Sequence, residues 1–204
     1  MNAMDEDVID QLAGIAPGTT LDAVRRQRSD ARTHAQASFT ALFAPLDPAG
    51  FSLTERWAVA AFVAALHGQA ETAAFYAAHL AESDPKGTLA AAVIAEAAQA
   101  VAQGPFGRYP PGPLSAEDTA GTVHRIAADR RAVLGPRLAA ALEHVHMLVY
   151  HPRDAAPPWL QALVDAGWTT PQIVTLSQLV AFLSFQIRVV LGLRAMQTPT
   201  ATTA

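Results

Sequence analysis

With no cysteine among its 204 residues, the chain must do any proton-transfer chemistry near neutral pH with histidine and carboxylate side chains. His67 closes an apolar run beside Gly68, where it is either a group facing a cleft or a cation favoured by a helix C-terminus. His79 follows Phe75 and Tyr76 at helical spacing, so it is either a proton-transfer group or the polar edge of a packed helix. Glu71 can share a helix face with His79, or simply point to solvent. These three, His67, His79 and Glu71, are the candidate catalytic residues.

His144, His146 and His151 are dense enough to raise metal binding. Glu143 and His146 form one E-x-x-H, but di-iron bundles need two such pairs and further carboxylates. On a straight helix His144 and His151 share a face and His146 points away, so the three do not converge on one ion. No metal site and no cofactor is expected. The chain also has no G-x-G-x-x-G, P-loop, H-E-x-x-H or G-x-S-x-G, which removes support for nucleotide, zinc-protease and serine-hydrolase readings. Arg188, flanked by Phe185, Ile187 and Val189, is expected to be buried and to need a carboxylate or carbonyls. It is a structural ion-pair residue or one that faces a ligand.

Helices must position all of these groups. The residues are 51% hydrophobic but only 7% aromatic, and alanine is abundant, which predicts closely packed helices rather than strands. A short helix is expected over 5–15, stopped by Pro17 and Gly18, and a longer one over 21–43 with one narrow apolar stripe. In that helix Arg25, Arg26, Arg28 and Arg32, interleaved with Asp22 and Asp30, read as a solvated face. Ser52 and Glu55 have capping-box spacing and open a helix that is apolar nearly all round, broken at Gly68. Helices over 70–81 and 88–103 follow. A proline- and glycine-rich loop at 104–113 divides the chain, and Ser115 is expected to cap a polar helix to 134. Pro136 starts the next helix, which ends at His151 and Pro152; a short helix over 159–166 and a long one over 170–196 complete the set. The tail at 197–204 reads as disordered.

A net charge of -4 argues against nucleic acid as a partner. Polar residues interrupt the apolar run at 173–193, so it reads as a buried helix and not a membrane span. The acidic N-terminus lacks the pattern of a secretory signal, and a cytoplasmic location is expected.

The order Glu55-Arg56, alanine-rich helix, His67-Gly68, then His79 on the next helix resembles the carboxymuconolactone decarboxylase and alkylhydroperoxidase-D superfamily. The closing segment, with Phe182, Phe185, Arg188, Gly192 and Leu193, is similar to the peroxidase-related branch of that group. The resemblance covers about 51–196 and implies an all-α, alkylhydroperoxidase-D-like bundle of two related helical halves, preceded by an N-terminal helical extension at 1–50. It also implies a homo-oligomer, a dimer, trimer or hexamer. The family's two thiols fall near Gln69 and Thr72, which makes those two residues and Arg188 candidate binding residues. A cysteine-based peroxidase cycle is chemically excluded for this chain alone. The expected function is binding of a small organic molecule, with His/Glu acid-base chemistry if it is an enzyme. The alternatives are a non-catalytic scaffold and a peroxidase that borrows its thiol or redox group from a partner.

Overall fold

The computed structural model describes residues 6–197. Apart from Gln197, the tail expected to be disordered lies outside these residues, as does Asp5, where the first helix was expected to start. The described residues form nine α-helices: α1 (Val8–Ala13), α2 (Thr20–Arg26), α3 (Ser29–Phe43), α4 (Leu53–Leu66), α5 (Ala70–Ser83), α6 (Thr88–Ala100), α7 (Ala128–Tyr150), α8 (Pro157–Asp165) and α9 (Thr170–Gln197). No strand occurs among them, and the expected all-α class holds.

Helix α4 is the centre because its sequence allows no other place for it. Ala58 to Ala64 are buried without exception, so the helix has no polar face to give to water. It packs against α5, α6, α7 and α9, and its alanines let those neighbours approach closely. Its start is fixed as the sequence predicts: the Ser52 hydroxyl accepts from the Glu55 amide at 3.3 Å and the Glu55 carboxylate accepts from the Ser52 amide at 2.9 Å. At its other end Gly68 has φ +67, a conformation that a side chain would strain, and the chain turns there into α5.

The single helix expected over 21–43 is two helices, α2 and α3, broken at Gln27 and Arg28. Arg26 and Arg28 stay on a solvated face, Arg26 paired with Asp22 at 2.7 Å, but Arg25 and Arg32 do not. Arg25 is 9% exposed and donates to Asp7 at 2.6 Å and Asp10 at 2.7 Å, and Arg32 reaches Asp7 as well as Asp10. Asp7 and Asp10 come from the α1 segment, far off in sequence, and only Asp22, 3.4 Å from Arg32, is a partner that local spacing offered. The N-terminal helices share the core with the rest, since Phe43 stacks on Trp57 with centroids 4.1 Å apart and Arg194 of α9 donates to the Leu12 carbonyl. Trp57 and Trp168 are buried; Trp159 is half-buried.

Of the helix expected from Ser115 to 134, only 128–134 forms, as the first turns of α7. Ser115 sits inside a 3-10 turn over Pro113–Glu117, its hydroxyl accepting from the Gly112 amide at 3.1 Å, and the chain then runs without helix to Ala127. Thr119, Thr122 and Val123 are poor helix formers flanking Gly121, whose backbone lies against the Phe106 ring where any side chain would collide. Two buried acids hold this long loop down. Glu96 accepts from His124 at 2.7 Å and pairs with Arg130; Glu143 accepts from the Ile126 amide at 2.9 Å and pairs with Arg125 and Arg131. Gly135, at φ +77, then breaks the regular course of α7 before Pro136, where a fresh helix was expected.

Candidate functional site

The first turn beyond α4 places His67. The Leu66 carbonyl, left without a helical partner at the C-terminus, accepts from the Tyr150 hydroxyl at 2.5 Å, which ties the end of α4 to the end of α7. His67 therefore projects between α7 and α9, into a cleft of about 530 Å³. Leu148, Val149, Val180 and Ala181 form its apolar wall, and Gly104 and Pro105 of the long loop form its rim. Of the five polar side chains that line it, Tyr150 and Ser177 give their hydroxyls to the Leu66 and Ile173 carbonyls, which leaves His67, Ser184 and Arg188.

His67 Nε2 and the Ser184 hydroxyl lie 3.3 Å apart. Burial, and then the nearby Arg188 guanidinium, hold the His67 pKa below its ordinary value, so the ring is neutral at pH 7. The cation that a helix C-terminus would favour is thereby disfavoured. A neutral imidazole can accept a proton or hydrogen-bond a ligand without adding charge. Arg188, expected to be buried, is exposed on one side of the cleft, because it faces outward from α9 between the buried Ile187 and Val190. One of its nitrogens donates to the Ser184 carbonyl a turn earlier, at 3.0 Å, and no carboxylate pairs with it among the described residues. The cleft thus combines a free positive charge, a hydroxyl, a neutral imidazole and an apolar wall, the makings of a site for a small organic anion.

The remaining candidates go elsewhere. The His79 ring stacks on Trp57 with centroids 4.5 Å apart, stands edge-on to Phe75, and lies 3.3 Å from the Glu82 carboxylate at the surface. It is a histidine with a carboxylate, but not at the cleft. Glu71 is exposed and pairs with Arg194, not with His79. Gln69 folds back to donate to the His67 carbonyl at 3.3 Å, and Thr72 is buried at 1% exposure, so neither of these two candidate binding residues lines the cleft. Arg56 is structural: it donates to the carbonyls of Leu42, Pro48 and Phe51 at 2.7, 3.1 and 2.9 Å.

The three α7-end histidines do not follow the expected phases: His151 lies just past the helix with non-helical dihedrals and comes near His146, ring centroids 6.1 Å apart, and it is His144 that turns away. His146 bonds the Ala100 carbonyl at 3.1 Å, His151 lies between Thr122 and Asp154, and His144 faces a different cleft. Glu143 of the E-x-x-H is spent on the loop. Among the described residues no group of three or more His, Cys, Asp or Glu is placed to hold a metal ion.

Sequence reading missed Ser184 and Tyr150. Ser184 stands four residues before Arg188, the spacing that puts two side chains on one helix face, so that half of the signal was available. Its contact with His67, across more than half the chain, was not.

Comparison of the chain with family models, with curated proteins and with solved structures finds no match.

Proposed function

We propose that this chain is a thiol-free protein of the alkylhydroperoxidase-D type that binds a small organic anion in the His67–Ser184–Arg188 cleft. The convergence of those three groups on one apolar-walled cleft carries the reading. A scaffold that had lost its ligand site would fill this space, and an unpaired guanidinium held there by a helix is placed for a carboxylate or similar group. Support for the family comes from the Glu55-Arg56 order, the α4–α5 pair hinged at Gly68 and the closing helix with Phe185 and Arg188. Self-association belongs to the same proposal, and a monomer in light scattering contradicts it.

If the bound molecule is turned over, His67 is the group that moves the proton. His79, held in its ring stack, is not. The test is calorimetric titration with simple carboxylates. Wild-type protein is expected to bind them in a salt-sensitive way, and Arg188→Met to weaken binding by about tenfold or more, the usual worth of a charge-assisted bond. Equal affinity in the two proteins contradicts the proposal.

A further inference from the structure

A second cleft adjoins the anion cleft at Leu148 and Ser177. Both residues line both spaces, and the second, of about 310 Å³, is walled by Met147, Ala156, Pro157, Trp159 and Leu160. The Ser177 hydroxyl at the junction is turned back onto the Ile173 carbonyl at 2.9 Å, so it puts no unsatisfied polar atom in the passage. The wall beyond it carries no charge. One group there is out of keeping: His144, 3% exposed, has a partner on neither ring nitrogen. Such an atom costs stability unless something satisfies it, and His144 is among the residues lining the cleft, with both nitrogens buried beneath its surface.

We infer that the ligand of the His67–Arg188 cleft is an elongated, amphipathic carboxylic acid, whose chain crosses Leu148 and Ser177 into the Trp159–Leu160 cleft and whose far end carries a hydrogen-bonding oxygen for His144. This rests on the anion-site reading above. The carboxylate meets Arg188 with His67 and Ser184; the chain replaces water along the apolar wall; the terminal oxygen supplies the partner that His144 lacks, once the ring turns to bring a buried nitrogen to the cleft. Burial keeps the His144 ring neutral, with a pKa pushed down to about 4, so its partner is a hydroxyl or carbonyl and not a second carboxylate.

The experiment is a calorimetric series from butanoate to decanoate, with the matching ω-hydroxy acids, on wild type, Leu160→Asp and His144→Leu. In wild type each added methylene is expected to tighten binding roughly fourfold once the chain passes Ser177. The ω-hydroxy acid that reaches His144 is expected to outbind its parent acid. Leu160→Asp is expected to flatten the dependence on length, and His144→Leu to remove the preference for the hydroxyl while keeping the dependence on length. If butanoate binds but longer acids bind no better, or if Leu160→Asp keeps the wild-type slope, the extended site is overturned and the anion site stands. If no acid binds at any length, the anion site itself falls and this inference with it.

Discussion

His67 owes its chemistry to two neighbours that no local pattern reveals, Ser184 and Arg188. Spacing alone made His67, His79 and Glu71 a plausible acid-base set, because histidine and glutamate a few turns apart can face one another. The aromatic rings around Trp57 decide otherwise for His79, since stacking on an indole is a gain that an open cleft cannot offer. The neutral state of His67 has a consequence for ligand binding. Protonating it adds a positive charge beside Arg188, so an anion binds the protonated form more tightly. Because the His67 pKa lies below the ordinary value of 6.5, affinity for a carboxylate is expected to be flat above neutrality and to rise as pH falls below that value, until the ligand's own carboxyl protonates. Titration across this range checks it; affinity that falls steadily as the solution is acidified contradicts the placement of His67.

Among the elements, the start and stop of α4 were legible because they rest on local chemistry: Ser52 with Glu55, and Gly68 at positive φ. The loop at 101–127 was not, because what holds it is distant. Glu96 and Glu143 reach it from α6 and α7, and a helical reading of 115–134 had no means of seeing them. On either side of the break between α2 and α3, Arg25 and Arg32 likewise meet distant carboxylates, Asp7 and Asp10. Arg137 is the strongest such tie. It donates to the Glu55 carboxylate at 2.9 Å and to the Gly50 and Gly167 carbonyls at 2.9 and 2.8 Å, and its guanidinium lies 4.0 Å over the Trp168 ring. It therefore pins the N-terminus of α4 to the turn between α8 and α9. Lysine cannot reproduce the planar fork, and Arg137→Lys is expected to cost about 2 kcal/mol in urea unfolding. A change below about 0.5 kcal/mol, the level of an ordinary surface substitution, contradicts this role.

For the molecule as a whole, an alanine-rich composition and helical periodicity were enough to read the all-α class, since they report burial directly. The cleft was not readable, because it forms where the ends of α4 and α7 meet the middle of α9, and only tertiary packing brings those together. The fold also carries a cost that titration exposes. Burial pushes both His144 and His146 down to about 4, so between about 6.5 and that value the unfolded chain binds protons that the folded chain refuses. Stability is thus complete above about 6.5 and is lost as pH falls toward 4. The melting temperature is expected to be lower at pH 5 than at pH 7, by a smaller margin in His144→Leu, which also removes an unpartnered buried group and is expected to be the more stable protein at pH 5. An equal drop in both proteins contradicts the assignment to His144.

The central claim is that His67, and not His79, faces the ligand. Imidazole nitrogen resonances report it directly when hexanoate is titrated into isotope-labelled protein. The account predicts that the His67 ring signals move to saturation while those of His79 stay in place, and that Arg188→Met abolishes the movement. Movement of the His79 signals with His67 unchanged contradicts it, as does a spectrum that hexanoate leaves untouched.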